Sequence, residues 1–518
     1  AAPADQLYVA TEANEWAWYA ALGLRAGGEP VDADDPEPRP HVAHLDDDEA
    51  LSRLRAMARA EANPGLLRLL AAARERGVPA HADDEAVSIG EGVAARTWPV
   101  HALPAPGEVD WAGVQAVPKA VVTGSNGKST TVRLLAAILE EHGWCTGFSS
   151  TEGLVVGGER VAPGDYSGPV GARTVLRHPR VRAAVLETAR GGLLRRGLEV
   201  RDARVAVVTN VSDDHFGEYG IHDIDALAEA KLLVARALAP DGVLVLNADD
   251  PRLVRGAGAA GGHALAWFAL RLDDAGARGP LACGVRDGQL RLLADAAVHE
   301  LGEVATMPLA FGGSATYNIA NAAAASLAAW ALGVAPATIA AVLARFGDDP
   351  RDNPGRLQRW QLGDVRVLLD YAHNPEGLGG LLRVAEGLRG GGRMGLLLGQ
   401  AGNRGDDAIR ALARAALAAR PDRVWLKDIG GEYLRGREPG AIAAILSTTL
   451  QEAGMGEDAL PVCLDESMAT REALRWARPG DLLVLPIHEP AHRATVVALL
   501  DRLRAEGWHA GQPVPEAD

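Results

Sequence analysis

The chain has 518 residues, 48% of them hydrophobic and 23% charged, as in an ordinary globular protein of several domains. Its net charge of −16 argues against a nucleic-acid-binding protein, which usually carries a basic face. The three cysteines are far apart and form no disulfide or zinc-binding pattern. No apolar run reaches the roughly 18 residues of a membrane span, and no signal peptide is visible. A cytoplasmic protein without a membrane partner is therefore expected.

Residues 1–115 are predicted to form a small α/β module. Glu49–Arg76 has apolar residues at near-helical spacing, and Pro64-Gly65 divides this helical pattern in two. The proline-rich stretch Pro99–Pro106 is typical of a linker. The module carries no motif with an interpretable chemistry, so substrate binding is only one option for it.

From residue 116 onward, apolar strands alternate with helices. Ala120–Val122 is a strand that leads into a glycine-containing loop and a helix over Lys128–His142. Further strands are predicted at 183–186, 205–208 and 243–246. This alternation favours a mostly parallel sheet covered by helices. It predicts a central domain over 116–349, within which 256–303 shows no clear pattern.

A second α/β repeat begins near residue 350 and predicts a C-terminal Rossmann-like domain over 350–518. Its strands are predicted at five apolar segments, 365–369, 394–398, 424–426, 461–464 and 482–485. The expected fold class is therefore α/β with three domains.

The segment 123–130 has the context of a phosphate-binding loop, because it lies between a strand and a helix. Its glycines let backbone amides turn toward anionic oxygens, and the helix N-terminus adds partial positive charge. Lys128 can reach the outer phosphates, and the Ser129 hydroxyl can hold Mg²⁺. Val122 stands where the strict Walker pattern has glycine, so the loop is a variant. The predicted binding residues are Gly124, Ser125, Asn126, Gly127, Lys128, Ser129 and Thr130.

Polar residues follow three more predicted strands. Glu187 follows the strand at 183–186, Asp213-Asp214-His215 comes shortly after the strand at 205–208, and Asn247 follows the strand at 243–246. Ligands of parallel sheets bind beyond the carboxyl ends of the strands. A carboxylate and an imidazole near a triphosphate favour divalent metal sites.

Lys231 lies on the apolar stripe of a predicted helix, with Leu227 at i−4 and Val234 at i+3. Two interpretations stay open on periodicity alone. The lysine either extends its ammonium group into water, or it is buried with a lowered pKa or a covalent modification.

Seven motifs occur in one order along the chain. They are Thr-Gly-Ser-Asn-Gly-Lys-Ser-Thr at 123–130, Thr-Asn-Val-Ser-Asp-Asp-His at 209–215, Lys231, Asn-Ala-Asp-Asp-Pro at 247–251, Tyr-Asn-Ile-Ala-Asn-Ala at 317–322, Pro-Gly-Arg at 354–356 and Asp-Tyr-Ala-His-Asn-Pro at 370–375. In this combination the chain resembles the Mur ligase superfamily, which includes muramyl amino-acid ligases, folylpolyglutamate synthases and the ligase domain of cyanophycin synthetase.

Within the superfamily the chain is most similar to the C-terminal ligase domain of cyanophycin synthetase. The similarity lies in Gly-Asp-Tyr-Ser-Gly-Pro at 164–169, Glu-Thr-Ala-Arg-Gly-Gly-Leu-Leu-Arg at 187–195, Gly-Asn-Arg-Gly-Asp at 402–406 and Arg-Gly-Arg at 435–437. About 115 residues before the phosphate loop cannot contain a typical ATP-grasp module. A single type of ligation is therefore expected.

The resemblance implies ATP and two Mg²⁺ ions as cofactors. The implied ATP-binding residues outside the loop are Asn247, Asn318, Arg356 and Asp370. The implied metal-binding residues are Ser129, Glu187, His215 and a carbamylated Lys231. The implied catalytic residues are Lys128, His215, Lys231 and His373, and the implied substrate-binding residues are Asn374, Arg404 and Arg437.

The predicted function is ATP-dependent joining of an amino acid to a carboxylate of a peptide or amino-acid-derived acceptor, through an acyl phosphate. A muramyl-peptide or folylpolyglutamate-type ligase is the alternative within the superfamily. A non-catalytic ATP-binding partner protein is the alternative from another class. The oligomeric state stays open, with a homodimer as one option, and neither substrate is identified.

Overall fold

A computed structural model of the chain describes residues 3–22, 42, 45–212, 220–259 and 261–516. They fall into two compact units. The first contains the described residues up to Val117 together with Leu176–Val181, and the second contains Pro118–Val175 and the described residues from Arg182 onward. No helix in the described ranges is long and apolar enough to cross a membrane.

The first unit combines helices with a three-stranded antiparallel sheet. Its elements are α1 (Leu7–Leu22), α2 (Asp47–Glu61), α3 (Pro64–Glu75), β1 (Ala80–Ala82), β2 (Ala86–Ile89) and β3 (Arg96–Pro99). The predicted break between two helices is confirmed. The Asn63 side chain accepts a hydrogen bond from Leu66 N at 2.9 Å, and Pro64, which has no N–H to leave unpaired, begins α3.

The strands between residues 118 and 349 form an eleven-stranded sheet in the described part of the chain. The elements of this region are β4 (Lys119–Thr123), α4 (Lys128–Glu141), β5 (Thr146–Ser150), β6 (Gly153–Val156), β7 (Glu159–Pro163), α5 (Pro169–Arg177), β8 (Ala183–Glu187), α6 (Arg190–Arg196), β9 (Ala203–Val208), α7 (Ile224–Leu232), β10 (Leu238–Asn247), α8 (Pro251–Gly256), β11 (Ala264–Arg271), α9 (Leu272–Gly276), β12 (Ala282–Arg286), β13 (Gln289–Ala294), β14 (Ala297–Glu303), α10 (Thr316–Ala331) and α11 (Pro336–Leu343).

This sheet has the order β14-β13-β12-β11-β10-β9-β4-β8-β5-β6-β7. The strands from β12 to β5 pair in parallel, which confirms the predicted mostly parallel sheet. The antiparallel additions at its two edges, β13-β14 and β6-β7, were not predicted. β4 lies between β8 and β9, and its five residues are all buried, as are most residues of α4 and α10.

The chain beyond residue 350 forms a five-stranded sheet with the order β15-β16-β19-β17-β18. Its elements are β15 (Gln358–Leu362), β16 (Val365–Asp370), α12 (Pro375–Arg389), β17 (Met394–Leu398), α13 (Asp406–Leu417), β18 (Arg423–Leu426), α14 (Ala441–Glu452), α15 (Glu466–Trp476), β19 (Leu482–Pro486) and α16 (Pro490–Ala505). Four strands are parallel and β15 is antiparallel, so the predicted Rossmann-like arrangement is confirmed.

The prediction of a strand at 461–464 was wrong. This segment makes a single bridge, from Val462 to Leu426, and it is not a ladder strand. Pro461 has no N–H to contribute to a ladder, and the Val462 side chain is 58% exposed. The apolar residues of this segment therefore belong to a connection at the edge of the sheet and not to a sixth strand.

Candidate active site

The phosphate loop predicted at 123–130 joins β4 to α4. Gly127 precedes α4 with φ = 83°, and a Cβ there would lie 2.2 Å from Asn321 Oδ1, so only glycine fits this position. Lys128 Nζ folds back over the loop and donates to Gly124 O at 3.0 Å and Ser125 O at 3.1 Å. These contacts hold the ammonium group at the mouth of the loop.

Glu187, at the end of the neighbouring strand β8, lies against this loop. Ser129 Oγ donates to Glu187 Oε2 at 2.8 Å, because Val122 of β4 is in register with Glu187. The carboxyl group is almost fully buried, and burial raises its pKa although nearby Lys128 lowers it in part. Its second oxygen, Oε1, has no hydrogen-bond partner among the described residues.

The end of β9 braces the loop from the other side. Asn126 N donates to Asn210 Oδ1 at 2.8 Å, and Thr209 Oγ1 donates to Asn126 O at 2.6 Å. Asn247, at the end of β10, donates from Nδ2 to Thr209 O at 3.0 Å. The predicted residue Asn247 is therefore linked to the loop through Thr209.

Asn318 reaches the same loop from α10. It is buried and accepts a hydrogen bond from Asn321 Nδ2 at 3.3 Å, and Asn321 in turn lies against Gly127. Asn318 Nδ2 donates to Leu309 O at 3.1 Å.

A loop of the five-stranded sheet approaches the phosphate loop. Asn374, which caps the N-terminus of α12, donates from Nδ2 to Asn126 Oδ1 at 2.9 Å. Glu376 Oε2 accepts a hydrogen bond from Asn126 Nδ2 at 3.1 Å. The segment before β15 contributes Asn353, whose Nδ2 donates to Thr130 Oγ1 at 3.1 Å. The eleven-stranded and five-stranded sheets therefore meet at the loop 123–130.

Arg356 and Asp370 interact electrostatically. Asp370 is buried and accepts hydrogen bonds from Leu357 N and Ala372 N, both at 2.7 Å. Burial raises the pKa of Asp370, and the Arg356 guanidinium opposes that shift. Arg356 lies 4.4 Å above the ring of Tyr371.

The remaining predicted substrate residues lie beyond β17. Gln400 Nε2 donates to His373 O at 2.8 Å and thereby joins the β17 loop to the β16 loop. Arg437 donates to Gly402 O at 2.9 Å and to Arg404 O at 2.7 Å. The structure brings Arg404 and Arg437 together, and it gives Arg437 a bracing position on this loop.

The predicted second metal site is described only in part. Lys231 lies in the last turn of α7 and is 4% exposed, so the structure supports the buried interpretation. His215 lies outside the described residues. Within the described ranges, no three histidines, cysteines or acidic residues lie close enough together to hold a metal ion by themselves.

Sequence reasoning missed a group of charged residues beside the site. Arg133 of α4 donates to Glu152, which follows β5, at 3.0 Å, and Arg493 of α16 lies 3.2 Å from the same carboxylate. Residues this far apart in sequence carry no shared pattern. A polar Thr-Glu pair directly after β5, at the carboxyl edge of the sheet, was the available signal.

Comparison with known proteins agrees with this architecture. Residues 122–329 match the Mur ligase middle domain, and residues 355–486 match the Mur ligase glutamate ligase domain. The chain is also 32% identical over 376 residues to the UDP-N-acetylmuramoyl-L-alanyl-D-glutamate--2,6-diaminopimelate ligase of Alkalilimnicola ehrlichii, covering 70% of each protein. The chain belongs to the Mur ligase family. The family predicted from the motifs is confirmed.

This Mur ligase family member is also similar to cyanophycin synthetases. It is 37% identical over 384 residues to that of Trichormus variabilis and 36% identical to that of a Nostoc species. The matched region covers 73% of this chain and 42% of each synthetase. The chain therefore spans less than half the length of these relatives.

Solved structures share the fold. FolC of E. coli, in complex with ADP, matches with a TM-score of 0.55 at 21% identity, covering 75% of this chain and 90% of FolC. Folylpolyglutamate synthase of Mycobacterium tuberculosis matches with a TM-score of 0.53 at 19% identity, covering 74% and 91%. The predicted α/β fold class is confirmed.

Proposed function

We propose that this Mur ligase family member is an ATP-dependent amide ligase that joins an amino acid to a carboxylate of a peptide or amino-acid-derived acceptor. The observation that carries the proposal is the Ser129–Glu187 hydrogen bond of 2.8 Å beside Lys128, in a loop that the second sheet contacts through Asn374. Phosphoryl transfer needs this combination of an anion cradle, a hard oxygen ligand and a closing element.

The residues present fit a nucleotide with Mg²⁺. Glu187 Oε1 is buried without a hydrogen-bond partner among the described residues, and carboxylate and hydroxyl oxygens are ligands that Mg²⁺ prefers. Ser129 and Glu187 would hold this ion, which would offset negative charge on the phosphates. We place a second ion at His215 and Lys231, because carbamylation would convert a buried ammonium group into an anion that can bind a cation.

Different side chains are proposed to contribute to activation of the carboxylate. A carboxylate is a poor electrophile, and its conversion to an acyl phosphate supplies phosphate as a leaving group. Lys128 and the loop amides stabilise the charge that builds up during transfer of the γ-phosphoryl group. Arg356 and Asp370 would hold the nucleotide from the side of the five-stranded sheet, and Asn247 and Asn318 would contact its base.

The amine substrate would enter from the five-stranded sheet. His373 and Asn374 lie in the connection between β16 and α12 and would shape the site where the amine attacks the acyl phosphate. Arg404 and Arg437 are proposed to bind the carboxylate of the amino acid, since a guanidinium group matches a carboxylate in shape and charge. The functional division of the chain follows the ranges 1–115, 116–349 and 350–518.

The similarity to cyanophycin synthetases supports an amino-acid-derived acceptor. A muramyl-peptide acceptor is the second candidate, favoured by the 70% mutual coverage with a diaminopimelate-adding relative. The two candidates differ in whether a uridine nucleotide must be attached to the acceptor.

The test is an assay of ADP release and mass addition with ATP, Mg²⁺, a panel of amino acids, and either short peptides or UDP-linked muramyl peptides. ADP formation that requires both substrates, with a product heavier by the amino acid minus water, is expected. Lys128→Ala and Lys231→Ala serve as inactive controls. ATP binding without acceptor-dependent ADP formation would favour the non-catalytic partner protein.

A further inference from the structure

Three arginines converge on one carboxylate beside the phosphate loop, and we call Arg133, Arg356, Arg493 and Glu152 the arginine cluster. Arg133 Nη2 donates to Glu152 Oε2 at 3.0 Å. Arg493 Nη1 and Arg356 Nε lie 3.2 and 3.9 Å from Glu152 Oε1. Both sheets contribute, because Glu152 follows β5, Arg133 is on α4, Arg356 precedes β15 and Arg493 is on α16.

Neighbouring residues fix the orientation of these guanidinium groups. The Tyr371 ring lies 4.4 Å from the guanidinium carbon of Arg356 and 5.8 Å from that of Arg493. Gly355 has φ = 68°, and a Cβ there would lie 2.6 Å from Arg493 Cδ. The glycine of the Pro-Gly-Arg motif therefore leaves the space that the Arg493 side chain occupies.

The cluster has more donors than acceptors. Arg133 Nε, Arg356 Nε and Arg493 Nη1 are buried and make no hydrogen bond of good geometry with any described residue, and the same holds for Glu152 Oε1. The two contacts at Oε1 are thus charge attractions without aligned hydrogen bonds. Three guanidinium groups surround the Glu152 carboxylate, and Glu187 and Asp370 are further carboxyl groups that interact with members of the cluster. The donors that no described residue satisfies favour binding of a further anion.

The cluster also lies where the reaction would need an anion site. Arg133 and Arg356 both interact electrostatically with Glu187, the residue proposed to hold Mg²⁺ beside the outer phosphates. A cation bound at Glu187 would offset part of the negative charge near these arginines. The side chains of Arg133, Arg356 and Arg493 remain 13%, 21% and 13% exposed, so their outer edges are open to a ligand.

We infer that Arg133 and Arg493 of the arginine cluster bind a carboxylate group of the acceptor and determine acceptor specificity, beside Arg356, which is proposed to hold the nucleotide. This inference rests on the proposed ligase function and adds to it the place and the chemistry of acceptor recognition. The same guanidinium groups suit a phosphoryl oxygen, so the experiment separates an acceptor carboxylate from the γ-phosphate of ATP.

The experiment compares wild type with Arg493→Met and Arg133→Met, which remove the charge and keep much of the apolar stem. Arg504→Met is the matched control, because Arg504 lies on the same helix and pairs with Asp501 at an exposed site. Succinate binding is titrated on protein saturated with MgADP. ATP and ADP affinities are measured in parallel, and KM and kcat are measured with any acceptor found in the substrate panel.

Arg493→Met and Arg133→Met are expected to weaken succinate binding and to raise acceptor KM about 10- to 100-fold, the range for losing charged hydrogen bonds. ADP affinity should stay within about threefold of wild type, and Arg504→Met should change nothing. A loss confined to ATP affinity would assign the cluster to the γ-phosphate and overturn the inference. No succinate binding to wild type, or equal binding in all variants, would also overturn it.

The succinate titration needs no turnover, so the two hypotheses can fail separately. Succinate binding that depends on the arginines, without any ligation, would support the anion site and contradict the proposed ligase function. Ligation with unchanged acceptor KM in both arginine variants would keep the ligase and reject the site.

Discussion

At the scale of single residues, one buried charged group supports the loop that follows β16. Lys427 Nζ contacts Glu466 and lies 3.0 Å from His488 Nδ1, and all three side chains are buried. His488 Nε2 donates to Ala372 O at 2.9 Å. Because Lys427 can only donate, His488 is the neutral tautomer with its proton on Nε2.

We predict that this histidine makes stability fall as the pH drops below about 6.5, its usual pKa. Burial, together with Lys427, lowers the pKa of His488 in the folded protein. Below this pH the unfolded chain binds a proton on this histidine and the folded chain does not. The unfolding free energy therefore falls by up to about 1.4 kcal/mol for each unit by which the pH decreases.

Urea unfolding of wild type and His488→Gln between pH 5 and 8 measures this effect. The variant should be less stable at pH 8, with a smaller slope between pH 5 and 6.5. Parallel slopes in the two proteins would contradict the assignment of a neutral His488.

At the scale of elements, Asn374 links a helix start to the phosphate loop. Its Oδ1 accepts a hydrogen bond from Gly377 N at 2.8 Å and so caps α12. Its Nδ2 donates to Asn126 Oδ1 in the loop that joins β4 and α4. One side chain therefore couples the first turn of α12 to the loop 123–130.

We expect Asn374→Ala to lower the unfolding free energy by about 1 kcal/mol, the usual cost of a lost cap, and to weaken MgADP binding as well. Asp465→Ala is the control, because Asp465 caps α15 through Met468 N at 2.8 Å. The control should lose similar stability and keep wild-type MgADP affinity. Equal affinity losses in both variants would mean that the effect is general and does not come from the Asn126 contact.

At the scale of the whole molecule, the eleven-stranded and five-stranded sheets belong to one compact unit and meet at 124–130. A ligand that contacts both sheets stabilises the folded state of both by mass action. A nucleotide bound only by the eleven-stranded sheet would stabilise that sheet alone.

Hydrogen exchange with and without MgADP distinguishes these cases. We expect slower exchange in the phosphate loop and also at 353–358 and 371–374. The hairpin between β13 and β14 lies at the far edge of the larger sheet and should exchange at an unchanged rate. Protection limited to the phosphate loop would show that the two sheets do not close on the nucleotide.

The sequence alone determined the features that depend on short-range patterns. The loop with Gly127 and Lys128, the strand that ends at Glu187, and the α2–α3 break at Pro64 all follow from neighbouring residues. Backbone sterics, apolar periodicity and strand-to-helix punctuation act over a few residues, so they can be read before folding.

Tertiary structure alone decided which distant side chains share a site. It placed Glu152 among three arginines from three separate segments, and it buried Lys231 at the end of α7. It also made 461–464 an edge connection instead of a strand. Charge convergence and burial depend on strand order and on how the sheets pack, and neither quantity is encoded in the spacing of residues along the chain.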